Sequence, residues 1–258
     1  MKFPPPTRKL PAYEHSHCLV CFYGLLRAGQ IDLFGYLESC RYRYDLRTAD
    51  IWNGMLTSLD DGYLAKVKAA LHERELTLVN LCVDGPHIWE DDPAVREQHY
   101  YQALRYLPVA EFWAHRPSAL TLGRADTFTE EQFDGIVLRF REYAQRAYDN
   151  GYKVGPENHW GAEVVPENMQ RLCEAVDHPG FGVLLHFRGN DGDALMAPWA
   201  MHTHISWDIT EGALEQHLTM LRNVGYQGCW SVEHHSGQQE YAEVAVQVAK
   251  VRAVLAQW

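Results

Sequence analysis

The sequence has no apolar run long enough to cross a bilayer, which takes about 20 consecutive apolar residues in a helix. It also lacks a basic excess: 23 Lys and Arg stand against 34 Asp and Glu, for a formal charge of −11 over 258 residues. Nucleic-acid backbones and anionic membranes select for basic surface, so neither is expected as a partner. The opening stretch Met1-Lys-Phe-Pro-Pro-Pro-Thr-Arg-Lys9 has no apolar centre of the kind a secretory signal needs, and a cytoplasmic location is expected. Cysteine is sparse. Six residues scattered through the chain do not make a disulfide framework, and reduced thiols are expected. Cys18 and Cys21 have CxxC spacing but fall in an apolar strand, where residues three apart face opposite sides. A core role is the expectation for both.

What is present is alternation. Short apolar runs over 17–23, 49–55, 76–83, 119–123, 153–157, 181–187, 201–206 and 229–233 read as strands. Between them, 31–43, 59–74, 93–113, 129–150, 166–176, 211–224 and 240–257 have helical spacing. Asp60 and Asp61, Asp91-Asp-Pro93 and Thr129-Glu-Glu131 supply the entry signals. The connection 194–199, where a helix should follow the sixth strand, is the thinnest part of the series. Strict alternation implies parallel strands joined by crossover helices. Eight units in a chain of this length fit an α/β fold, a (β/α)₈ TIM barrel, as a single domain over 1–258 with an N-terminal extension over 1–15. An open doubly wound sheet is the competitor, but no glycine-rich nucleotide loop follows the first strand.

Polar residues gather late in the last four strands, where a barrel builds its active site. Alternate residues on a strand share a face. Ser231, Glu233 and His235 therefore oppose Trp230, Val232 and His234, and His202, His204 and Ser206 oppose Thr203, Ile205 and Trp207. His186 and Arg188 oppose Leu185 and Phe187 in the same way. The polar sets should face the barrel mouth, and His234 should pack on a helix. Carboxylates and imidazoles converging without counter-charge are costly to bury, and a divalent cation removes that cost. Mixed oxygen and nitrogen donors suit manganese first, with cobalt, iron or zinc as alternatives, over calcium or magnesium.

The motifs Asp84-Gly-Pro-His-Ile-Trp89, Glu157-Asn-His159 and Ser231-Val-Glu-His234 carry a resemblance that spans nearly the whole chain. It resembles the xylose-isomerase-like barrel superfamily of ketose 3-epimerases, hydroxypyruvate isomerase, inosose dehydratase and endonuclease IV. The resemblance implies one metal held by Glu157 on strand five, His204 on strand seven and Glu233 on strand eight. The strand-six place, an aspartate in the family, reads His186 here, after Leu185. Histidine can ligate the same ion, which gives a two-Glu, two-His set one negative charge poorer.

The resemblance further implies proton transfer beside a carbonyl, with Glu157 and Glu233 as the catalytic pair and the ion stabilising an enediolate. His159 and Arg188 would hold substrate oxygens, and His87, Trp52 and Asn53 would line the pocket. His202 is expected either at the substrate or in hydrogen-bonded support. A divalent-metal-dependent isomerase or epimerase of a small sugar, cyclitol or keto-sugar is the leading expectation. A lyase on a keto-sugar or keto-glycoside, or a metal-free barrel subunit, are its alternatives. No phosphate-binding glycine loop follows strands seven or eight, which favours an unphosphorylated substrate, and the resemblance also implies a homodimer.

Overall fold

Parallel pairing organises the whole structure, a computed structural model that describes residues 17–19, 22–113, 118–120, 127–235 and 238–258. The 1–15 extension and Cys21 lie outside the described residues. The first half of the chain runs β1 (His17–Leu19), α1 (Tyr23–Arg27), α2 (Leu33–Glu38), β2 (Thr48–Trp52), α3 (Asp61–Glu73), β3 (Thr77–Val83), α4 (Pro93–Trp113) and β4 (Ser118–Leu120). The second half continues with α5 (Glu130–Asp149), β5 (Val154–Gly155), α6 (Pro166–Val176), β6 (Val183–His186), α7 (Gly192–Met196), β7 (Ala200–Ile205), α8 (Trp207–Gly212), α9 (Leu214–Asn223), β8 (Trp230–Val232) and α10 (Glu240–Leu255).

The differences from the sequence expectation have local causes. The helix expected over 31–43 starts at Leu33, because Asp32 stays extended and caps it by accepting from the Gly35 N–H. Its end widens into a π turn over Ser39–Arg43. Strand two stops at Trp52, where Asn53–Met55 coils into a 3₁₀ turn. Strand five is cut to two residues by Pro156, which has no N–H to donate. The helix expected over 211–224 is two helices broken at Ala213, whose φ of −144° is not helical. The connection over 194–199 is α7 running into a 3₁₀ turn at Ala197–Trp199. By contrast, α5 opens on a full capping box between Thr129 and Gln132.

The strands form two four-stranded parallel sheets, ordered β1-β8-β7-β6 and β2-β3-β4-β5. Parallel bridges Val154↔Phe181 and Glu157↔Leu184 link β5 to β6. Gly155 makes that junction possible, since a Cβ there would lie 1.7 Å from the Gly182 carbonyl oxygen. At the other junction β1 lies beside β2, with no ladder between them among the described residues. Helices cover the outside with apolar stripes, as in α6, which buries Met169, Leu172, Cys173 and Val176 at i, i+3, i+4 and i+7. No helix among the described residues is long and apolar enough to cross a membrane.

Register then fixes what meets what. His186 pairs with His204 across β6 and β7, and His204 with Ser231 across β7 and β8. Glu233 extends β8 by donating its N–H to the Ile205 carbonyl at 2.8 Å. The polar faces of three strands thus arrive at one level, at the carboxyl ends.

Candidate metal centre

Asn158 does what Pro156 cannot. Its side chain donates to the His186 carbonyl at 2.8 Å and accepts the His186 N–H at 2.6 Å, extending the β5–β6 pairing by a side-chain amide. That clamp sets Glu157 against His186. Glu157 Oε1 lies 3.3 Å from His186 Nδ1 and 2.8 Å from His204 Nδ1. Glu233 completes the ring, with Oε2 3.0 Å from His186 Nδ1 and Oε1 3.5 Å from His204 Nδ1. All four residues are buried, and one donor atom from each lies within 4.8 Å of the others.

The donor set fits a divalent ion. Tetrahedral ligands at 2.0–2.2 Å from a metal sit about 3.4 Å apart, and the four contacts scatter around that value. Glu233 Oε2 is buried and has no hydrogen-bond partner although His186 Nδ1 is 3.0 Å away. Its lone pairs are not aligned on a proton of that ring. Charge agrees as well, since two carboxylates and two neutral imidazoles balance a dication.

The electrostatics report the same demand for positive charge. Burial favours the neutral carboxyl, yet His204 and His186 hold Glu157 below the usual carboxylate range and Glu233 well below it. Burial would lower His186, but the facing carboxylates of Glu157 and Glu233 raise it to about 9. The two carboxylates push His204 well above its ordinary value against the same burial. Both glutamates are therefore ionised, as a ligand or a base must be.

Beneath this ring is a second buried group that the sequence reading did not find. Asp50 of β2 is 1% exposed, with Oδ2 2.8 Å from His202 Nε2 and accepting from Ser231 Oγ at 2.7 Å. The far side of the His204 ring faces the same oxygen at 3.8 Å and Cys82 Sγ at 3.9 Å. Burial opposes its ionisation, but His202 and His204 keep Asp50 below the usual carboxylate range. A carboxylate behind a ligating imidazole orients the ring and raises its basicity. An acid inside an otherwise apolar strand was the one sequence signal for it. Asp50→Asn should lower stability by about 3 kcal/mol, since it takes from buried His202 and Ser231 the carboxylate they meet. Thermal unfolding checks this, and an unchanged melting temperature would remove Asp50 from that role.

A family model described as xylose isomerase-like TIM barrel matches residues 44–252. The chain belongs to that family. No curated protein matches the chain. Among solved structures, it is similar to a D-tagatose 3-epimerase-like protein, with TM-score 0.74 at 13% identity, covering 94% of this chain and 98% of that one. A xylose isomerase-like TIM barrel protein from Mycobacterium smegmatis, in complex with magnesium, gives TM-score 0.71 at 16% identity over 87% and 88% of the two chains. The probable 3-DHS dehydratase AsbF of Bacillus anthracis gives 0.66 at 13% identity over 92% and 98%. The family and these likenesses support a (β/α)₈ fold.

At the mouth of this xylose isomerase-like barrel the remaining expected residues separate. His159 stacks on His186 at 4.8 Å and on the exposed Trp160 at 4.2 Å, with Nδ1 3.6 Å from Glu157 Oε1. Burial lowers its pKa to about 4 although Glu157 opposes the shift. Trp52 and Asn53 both hold Asp84, through Trp52 Nε1 at 2.8 Å and a two-way amide contact with the Asp84 backbone.

Two expected residues stand apart from the ring. His202 is 1% exposed on Asp50, below the ring, the place expected of hydrogen-bonded support. Parity gave its face but not its depth. Arg188 lies past the end of β6 at His186, and its guanidinium donates to the Asn158 and His159 carbonyls. It braces the Glu157 loop from outside. His87 pairs with Glu90 in the β3–α4 loop. Two residues absent from the expected set belong to the centre: Asn158, and His235, whose Nε2 is 3.0 Å from Glu233 Oε1. His234 points away, onto Glu243 of α10 and the Trp207 ring, as alternation requires.

Proposed function

We propose that the protein is a divalent-metal-dependent isomerase or epimerase acting on a small sugar, cyclitol or keto-sugar. One observation carries the reading: Glu157, His186, His204 and Glu233, from four consecutive strand ends, converge as a buried donor ring. These four would hold the ion, with manganese first and cobalt, iron or zinc as alternatives for a set half imidazole and half carboxylate. When bound, it would polarise the substrate's carbonyl and hydroxyl oxygens. The reading also takes the eight strands as a closed barrel and the chain as a single domain, supported by parallel pairing throughout and one apolar cluster running from Phe22 to Leu255.

The chain's own residues do the rest. Glu157 and Glu233 are ionised and come from opposite sides of the ring, on strands five and eight. One removes the proton beside the carbonyl, and the other, after taking up a proton from solvent, delivers one to the opposite face of that carbon for an epimer or to the neighbouring carbon for an isomer. His159, partly exposed above Glu157 and held neutral by its surroundings, can accept or donate one substrate hydrogen bond. Trp160 presents an exposed ring beside it, a surface for the apolar face of a sugar. Trp52 and Asn53, fixed on Asp84, form the far wall.

A lyase is the second reading, favoured by His235. Its imidazole sits on Glu233 Oε1 and is itself exposed, placed to protonate a departing hydroxyl. Incubation with ketoses, inososes and 3-keto-glycosides in D₂O with Mn²⁺ tests both. Deuterium at the carbon beside the carbonyl, with an epimer or isomer as product, is the expected result, and an unsaturated product would select the lyase. Metal below about a tenth of an equivalent, with no gain on adding Mn²⁺, would sink both readings.

A further inference from the structure

A second set of donor side chains converges where β3 passes into α4, and it shares no residue with the metal centre. His87 and Glu90 lie in the loop after β3, and His99 lies on the second turn of α4. Glu90 Oε1 is 2.5 Å from His87 Nδ1 and 3.6 Å from His99 Nδ1. One donor atom from each of the three lies within 4.8 Å of the others. The two imidazoles stand edge to face, with centroids 5.2 Å apart.

His99 is the informative member. Its Nδ1 atom is buried and has no hydrogen-bond partner among the described residues. A buried polar atom without a partner is costly, and in native structures it calls for an explanation. Burial and the neighbouring His87 lower its pKa, so the ring keeps its lone pair at neutral pH. The surrounding frame is firm. The Arg96 guanidinium lies 3.7 Å over the Trp89 ring, and that ring packs so closely on Gly135 of α5 that a Cβ there would be 2.5 Å from it. Asp91 accepts from Trp89 Nε1 at 3.2 Å and from Gln132 Nε2 at 2.9 Å. The loop is thus pinned to α5 on either side of Glu90, and a site on such a frame is preorganised.

We propose that His87, Glu90 and His99 form a second metal site, for zinc or an ion of similar chemistry, that fastens the β3–α4 loop. Two imidazoles and one carboxylate are a zinc donor set, with water filling the fourth position. The Glu90–His99 separation of 3.6 Å already matches tetrahedral ligand spacing, and His87, half-buried in a loop, has to withdraw by about 1 Å. The same loop begins at Asp84, which Trp52 and Asn53 grip. Zinc here would therefore stiffen one wall of the mouth without touching the reacting centre.

The experiment is a Zn²⁺ titration of the metal-stripped full chain against a chromophoric competitor, alongside thermal unfolding. Wild type should bind one equivalent more than His99→Ala and than His87→Asn, and Zn²⁺ should raise its melting temperature above that of either variant. Mg²⁺ should not replace Zn²⁺ in the difference, because the donors are mainly nitrogen. Circular dichroism confirms that the variants fold, and His87→Asn, in a loop, serves if His99→Ala does not. Equal stoichiometry in wild type and a folded variant would overturn the proposal, whatever the main centre binds.

Discussion

Glu233→Gln is expected to leave the chain folded and to lower kcat by at least about 10³-fold. The substitution keeps the volume, and the backbone bond from residue 233 to the Ile205 carbonyl is untouched. What it removes is charge. Glu233 faces His186 at 3.0 Å, His204 at 3.5 Å and His235 at 3.0 Å, so one neutralised oxygen weakens the ion's site, takes away a proton acceptor and leaves imidazoles without their partner. Turnover, bound metal and far-ultraviolet circular dichroism measured together separate these effects. Activity within about tenfold of wild type would take Glu233 out of the catalytic pair.

His186 should decide whether the ion is held at all. His186→Ala removes one of four donors and leaves Glu157 and Glu233 ionised and buried with a single imidazole between them. Metal affinity should fall by more than the roughly 10- to 100-fold that loss of an outer partner costs. His186→Asp supplies the aspartate that the resemblance implies at this place. It should keep one equivalent of metal and shift preference toward harder ions such as Mg²⁺, because an oxygen donor replaces nitrogen. Dialysis followed by elemental analysis reads both variants. Full occupancy in a folded His186→Ala would show that this histidine is not a ligand.

Much of this centre was legible before any coordinates. Strand parity put His186, His204 and Glu233 on inward faces, and register placed them at one level. Parity failed where a strand ended sooner than its apolar run. Arg188 was assigned the His186 face, but pairing stops at His186 and the arginine turns back to the Asn158 and His159 carbonyls. It also gave His202 its side of the strand but not its depth.

By itself the sequence determined the alternation of elements, the parallel sheet it implies and the inward set on strands five to eight. These follow from covalent geometry, since side chains alternate along a strand and repeat along a helix over a few residues. Tertiary structure alone decided that Asp50 meets His202, 152 residues away, and Ser231, 181 residues away. It also decided that an asparagine side chain takes over strand pairing where Pro156 breaks it, and that His99 faces Glu90 across a helix entry. Such meetings depend on strand order, register and depth, which the packing of distant segments fixes and no local pattern contains.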